Sequence, residues 1–244
     1  MKEMIVKVYR SIIVSIFFLV FGFGALFIKY CIFPFLRNKL NEYKILKKSW
    51  QIFIFMLEST GILKLNIKDK NLIENLKGSI IVSTHPSFVD VIILMSILPC
   101  STCFVAEKLT KNPFLKGIVN ELFIPEGQSS AKWVNDAITA LNNGLNVVIF
   151  PMGIRHKKNE TPRIKRGTAL LALESKIDII ALKLENDFDF LQIHQPFYKA
   201  GIKTVQYNLG YIDKIDTATF ITKYQDEVSI KTAITSKIKE LLYS

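Results

Sequence analysis

Ser79-Ile80-Ile81-Val82-Ser83-Thr84-His85-Pro86-Ser87-Phe88-Val89-Asp90 is an apolar run that breaks at small polar residues and a proline, then turns apolar again. Its first part reads as a buried strand, and residues 87–98 read as an apolar helix. Pro86 suits a first helical turn, and Ser83 to His85 offer capping groups. Outward from this junction the alternation continues, with strand-like runs at 103–106, 146–150, 177–184 and 204–212. Helical runs occupy 113–122, 129–143, 166–176 and 225–243. That order predicts an α/β fold, a mixed β-sheet flanked by helices, within residues 61–244.

Residues 1–60 have a different character. Ser11 to Ile28 carry no charge over 18 residues, about 27 Å as a helix and enough to cross a thin bilayer. A cleaved signal would have a shorter apolar core ending in small residues, so a retained apolar helix at 11–28 is expected. A second helix is expected at 43–60. Leu46, Trp50, Phe53 and Leu57 recur at helical spacing, with Lys44, Lys47, Lys48 and Gln51 on the other side. It either lies in a membrane interface or packs on the following domain. Residues 1–60 are therefore read as an N-terminal membrane-docking helical pair.

The 244-residue chain has a net charge of +11 and is 50% hydrophobic, with a mean hydropathy of +0.27. Nine basic and three acidic residues fall within residues 1–60. A basic excess beside an apolar stretch suits anionic membrane lipids, and no aromatic-basic interleaving points to nucleic acid. Lys29, Arg37, Lys39, Lys44, Lys47 and Lys48 outnumber Lys2, Lys7 and Arg10, which places the following domain on the cytoplasmic side. Cys31, Cys100 and Cys103 are too few for a disulfide framework, and Cys100-Ser101-Thr102-Cys103 has no second pair to complete a zinc site.

His85, at the end of a buried strand, has Asp90 within the next turn and a half. A carboxylate bent back onto the imidazole would fix its tautomer and make it a general base. Taken alone, the spacing is a weak signal and fits a structural histidine better. The second junction, Phe150-Pro151-Met152-Gly153-Ile154-Arg155-His156, also follows a strand and opens a basic stretch. Lys157, Lys158, Arg163, Lys165 and Arg166 join Arg155, opposed by Glu160, before Gly167 opens a helix. Strand, glycine turn, cations and helix N-terminus make an anion site, or else a solvated loop. Ligands of open α/β sheets bind beyond the carboxyl ends of strands, so both junctions are expected to face one crevice. No metal site is expected, since His156 has no carboxylate or thiol at ligand spacing and His194 reads as a surface or core residue.

Together these residues resemble the glycerolipid and lysophospholipid acyltransferase superfamily, typified by bacterial 1-acylglycerol-3-phosphate acyltransferases. The H-x4-D motif matches His85 and Asp90, with Ser87 between them. A second block is echoed by Ala106-Glu107-Lys108-Leu109, Asn112-Pro113-Phe114 and Gly117. The F-P-E-G-T-R block matches Phe150, Pro151, Gly153 and Arg155, and Arg166-Gly167 matches the basic residue and glycine before the next helix. The resemblance implies the glycerolipid acyltransferase fold and O-acyl transfer in lipid biosynthesis at the bacterial inner membrane, from acyl-CoA or acyl carrier protein, without a cofactor. It makes His85 the base and Asp90 its orienter, and gives Ser87, Lys108, Gly153, Arg155, Arg166 and Gly167 to substrate. Two departures stand out: Met152 replaces the block's Glu, and Phe123-Ile124-Pro125-Glu126-Gly127 lacks the Arg that ends the second block. Both weaken lysophosphatidic acid as acceptor. The finer details resemble a divergent branch found with aryl polyene and other specialised lipid pathways. A non-catalytic lipid-binding relative is the alternative from another class.

Overall fold

The structure is a computed structural model and describes residues 2–85, 87–153, 163–187, 190–191, 196 and 201–243. Strands β2 (Ile80–Ser83) and β5 (Asn146–Ile149) are buried at every residue, which is why they read as unbroken apolar runs. They sit in the middle of a seven-stranded sheet with β1 (Leu63–Ile67), β3 (Ser101–Val105), β4 (Ile124–Pro125), β6 (Ile179–Asn186) and β7 (Val205–Ile215). The order is β1-β7-β6-β2-β5-β3-β4. Neighbours are parallel except β6 and β7. The carboxyl ends of β2, β5, β3 and β6 therefore open on one edge. Because β7 runs the opposite way, its first residues reach that same edge, where Tyr207 lies opposite Asn186.

The sequence-based expectation of a mixed sheet flanked by helices holds. Helix α4 (Val89–Ile97) is apolar on all sides and buried nearly throughout, packing against α2 (Lys39–Ser59). Helices α7 (Ser130–Asn142), α8 (Gly167–Ser175) and α10 (Glu227–Tyr243) form a second group. The crossovers from β2 to β3 and from β4 back to β5 run in opposite directions across the sheet. Right-handed connections therefore put α4 and α7 on opposite faces. Short α3 (Lys70–Glu74), α5 (Glu107–Thr110), α6 (Lys116–Leu122) and α9 (Thr217–Lys223) are the other α-helices among the described residues, and a π-helical turn (Ile28–Ile32) and a 3-10 turn (Phe33–Phe35) lead from α1 to α2. Strands β1 and β4 were not apparent in the sequence: β1 alternates over only five residues and β4 has two.

Helix α1 (Lys2–Phe27) begins nine residues before the uncharged run, because its flanking charged residues are good helix formers. By length and composition, Glu3–Phe35 could cross a membrane. It does not stand apart from the body. Phe18 meets Phe53 and Phe88 with ring centroids 5.9 and 5.8 Å apart, and Phe21 lies 5.1 Å from Phe53. Arg10 is buried and donates to the carbonyls of Gly61, Ile62 and Lys203 at 3.0, 3.3 and 2.7 Å. Lys29 pairs with Glu121 on α6. The outward side presents Ile12, Ile16, Leu19, Phe23 and Phe27, all at least half exposed.

Helix α2 starts at Lys39, where the Asn38 side chain accepts from Leu40 N at 2.9 Å. Of its two sequence readings, packing on the body describes most of it. Leu46, Trp50, Phe53 and Leu57 are buried. Lys47 Nζ donates to Ile97 O (2.8 Å) and Gln51 Nε2 to Ser96 O (3.0 Å), satisfying the last carbonyls of α4. The large apolar residues of α2 that stay exposed are Leu40, Ile52 and Phe55.

Candidate active site

The β2–α4 junction is built by side chains that imitate backbone. Thr84 Oγ1 donates to Leu184 O (2.5 Å) and accepts from Leu184 N (3.0 Å), prolonging the β2–β6 ladder after the backbone has left it. His85 is then turned out of the strand line. The helix begins at Val89, later than expected, and none of Ser83, Thr84 or His85 caps it. Asp90 instead closes the turn: its Oδ2 accepts from Ser87 N (2.6 Å) and its Oδ1 from Ser87 Oγ (2.7 Å).

Asp90 is completely buried, and its Oδ2 also meets His85 Nδ1 at 3.0 Å. An ionised carboxylate only accepts, so His85 Nδ1 carries the proton of that bond and Nε2 is left to receive one. Ser87 Oγ lies 2.6 Å from the hydroxyl of Tyr207. Burial, and next the charge of Asp90, push the Tyr207 phenol far above its ordinary range, so it stays protonated. Sequence reasoning missed Tyr207. Nothing in an alternating strand marks one inward tyrosine, and only the antiparallel turn of β7 brings it here.

After β5, Phe150 stacks on the His85 ring. The Pro151–Gly153 turn closes through Gly153 N to Phe150 O (2.8 Å), with Gly153 at φ +71°, where a side chain would be strained. A Cβ there would also collide with Lys165 Nζ. As a backbone donor to an oxyanion, this turn is limited. Pro151 has no N–H and that of Gly153 is taken, which leaves Met152 N–H. Met152 itself is buried and does not line the cavity described next.

A cavity of about 1260 Å³ runs from His85 into the N-terminal helices. Val20, Phe21, Gly24 and Ala25 of α1 and Trp50, Phe53 and Met56 of α2 form its apolar walls. His85, Phe150, Lys108, Glu126, Gly153, Lys165, Gly167 and Thr168 line its polar end. Thus His85, Lys108, Gly153 and Gly167 share one space, Ser87 and Asp90 stand buried behind His85, and Arg166 is exposed at the N-cap of α8. Arg155, His156 and His194 lie outside the described residues. Thr168, also missed, is buried and its Oγ1 has no hydrogen-bond partner among the described residues. Cys103 is buried on the cavity wall; burial, and then Glu126, push its thiol up, so it stays protonated. Among the described residues no cluster of potential metal ligands occurs.

The model of the family described as Acyltransferase matches residues 64–185, half of the chain. A curated relative, the 1-acyl-sn-glycerol-3-phosphate acyltransferase beta of Homo sapiens, is 26% identical over a region covering 59% of this chain. That region is 54% of the human protein, so the chain spans about half the length of the curated relative it matches. The crystal structure of the 1-acyl-sn-glycerophosphate (LPA) acyltransferase PlsC from Thermotoga maritima superposes with a TM-score of 0.69. The match covers 96% of both chains at 14% identity, a likeness of fold.

Proposed function

The chain belongs to the acyltransferase family, and from that premise we propose that it moves a fatty acyl group from a thioester of CoA or acyl carrier protein to an acceptor hydroxyl in lipid biosynthesis. One observation carries the reading: a histidine fixed by a fully buried carboxylate stands at the polar end of an apolar cavity. Nε2 of His85 takes the proton of the acceptor hydroxyl, and the freed oxygen pair attacks the thioester carbonyl. Collapse of the tetrahedral intermediate breaks the C–S bond, and the departing thiolate takes the proton back from the imidazolium. Asp90 holds the tautomer and faces the charge as it forms. The acyl chain occupies the apolar walls of α1 and α2, in a cavity larger than the usual small-ligand site.

Lys108 and Lys165 at the polar end, with Arg166, Gly167 and Arg155 nearby in sequence, suit the phosphates of a donor or acceptor. Phosphate in the acceptor is the 1-acylglycerol-3-phosphate reading, which the human relative supports. Glu126 on the same wall and Met152 in place of a carboxylate favour a different hydroxyl acceptor, as in a specialised lipid pathway. The apolar outer side of α1, with Ile52 and Phe55, supports docking on a membrane of anionic lipids, on the cytoplasmic face of a bacterial inner membrane.

The test is lipid profiling of a deletion strain complemented with wild type or His85→Ala, beside thiol release from palmitoyl-CoA by the purified proteins with 1-oleoyl lysophosphatidic acid. Wild type alone should restore the missing acylated product. Equal restoration by both would remove the enzyme reading in favour of a lipid-binding relative.

A further inference from the structure

Proton counting at Ser87 gives its neighbours fixed roles. The serine has one hydroxyl proton, and Asp90 Oδ1, 2.7 Å away, must receive it. Val89 N–H donates to Ser87 Oγ at 3.2 Å. The 2.6 Å contact to Tyr207 therefore has one direction only, with the phenol as donor. Both acceptor positions and the single donor of Ser87 are occupied, and the serine cannot rotate without breaking one of them. Ser87, Asp90 and Tyr207 are all fully buried, so no water competes for these bonds.

We propose that Tyr207 is a positioning residue for acyl transfer: donating to Ser87, it locks the serine hydroxyl onto Asp90 and so sets the carboxylate that orients His85. The chain of donors runs Tyr207 to Ser87 to Asp90, and Asp90 in turn receives His85 Nδ1–H. Each donor also polarises the next, which is the cooperative strengthening expected of a buried network. Tyr207 sits 120 residues from Ser87 and on the strand that runs against its neighbour β6. The orientation of the base is therefore tied to correct pairing of β6 with β7. The inference rests on His85 acting as the base.

A double-mutant cycle of Tyr207→Phe and Ser87→Ala tests it, since Phe keeps the ring and removes only the hydroxyl, and the Ser87→Ala background separates the bond to Ser87 from any contact of that hydroxyl with Asn186. Two readouts are taken on the purified full chain. One is kcat and KM for palmitoyl-CoA with 1-oleoyl lysophosphatidic acid. The other is the rate at which diethyl pyrocarbonate modifies His85, followed on its own peptide and needing no substrate. Tyr207→Phe should lower kcat about tenfold with KM unchanged, near the net worth of one hydrogen bond. The His85 modification rate should fall with it. In the Ser87→Ala background, Tyr207→Phe should add nothing to either readout. Equal effects of Tyr207→Phe with and without Ser87, or a His85 rate unchanged by both variants, would overturn the proposal. Absence of turnover in wild type with an intact cycle in the His85 rate would count against this acceptor or donor and leave the positioning chain standing.

Discussion

Phe150 lies flat against His85, the ring centroids 4.1 Å apart and the planes inclined by 23°. The two residues come from different strand ends, β5 and β2, and meet because those strands are parallel neighbours. Asp90 fixes one nitrogen of the imidazole while Phe150 fixes the plane of the ring. Phe150→Leu keeps an apolar side chain and removes the stack. It should lower kcat about three- to tenfold, as aromatic pairs are worth about 0.5–1.5 kcal/mol, with little change in KM. Steady-state kinetics checks this, and an unchanged kcat would show that Asp90 suffices.

Gly24 faces the cavity, and a Cβ placed on it meets no atom within 4 Å. Leucine at 24 would therefore grow into the cavity without disturbing α1. Gly24→Leu should cut turnover of palmitoyl thioester about tenfold relative to decanoyl thioester, because a few methylenes of lost room discriminate at that scale. Competition between the two donors in one tube reads the ratio directly, and an unmoved ratio would place the acyl tail elsewhere.

Arg10 offers a stability test. Its guanidinium donates to three backbone carbonyls, two of which, Gly61 O and Ile62 O, also accept from Thr204 Oγ1 and Val205 N, and an ammonium cannot span all three. Arg10→Ala should cost about 2–3 kcal/mol and lower Tm by about 4–10 °C, and Arg10→Lys should recover less than half. Thermal unfolding in one detergent measures both. Hydrogen exchange should show α1 loosened before the sheet.

Glu42 predicts a pH dependence. Burial first, and then the nearby Glu121 carboxylate, raise its pKa above the ordinary 4.5, and its Oε2 has no hydrogen-bond partner among the described residues. A carboxyl whose pKa is raised on folding stabilises the fold below its unfolded value and loses that contribution as pH rises through the folded one. Glu42→Gln should thus raise Tm by about 2–4 °C at pH 8 and by less at pH 5. A larger gain at pH 5 would reverse the assigned sign.

The parallel core was legible because β2 and β5 are buried on both faces and show it as unbroken Val and Ile. The His85–Asp90 pair was legible as a local motif, since the turn that joins them spans five residues. Tyr207 was not, because its role depends on how β7 pairs with β6 across the edge of the sheet, a long-range choice that alternation does not encode. Lys47 misled for a similar reason. A lysine on the polar side of an amphipathic helix looks solvated until the end of α4 is placed beneath it. The start of α4 came late because Pro86 and the three polar residues before it suggested a cap, while Asp90 supplied the bonding from within.

The cavity has two halves made by different parts of the chain, α1 and α2 on one side and the strand ends on the other. On the proposed function, a thioester held between them would be sheltered from bulk water, the most abundant competing nucleophile. Fidelity of transfer over hydrolysis is then a property of how tightly the N-terminal helices stay seated. A variant that loosens them should waste donor before it stops consuming it.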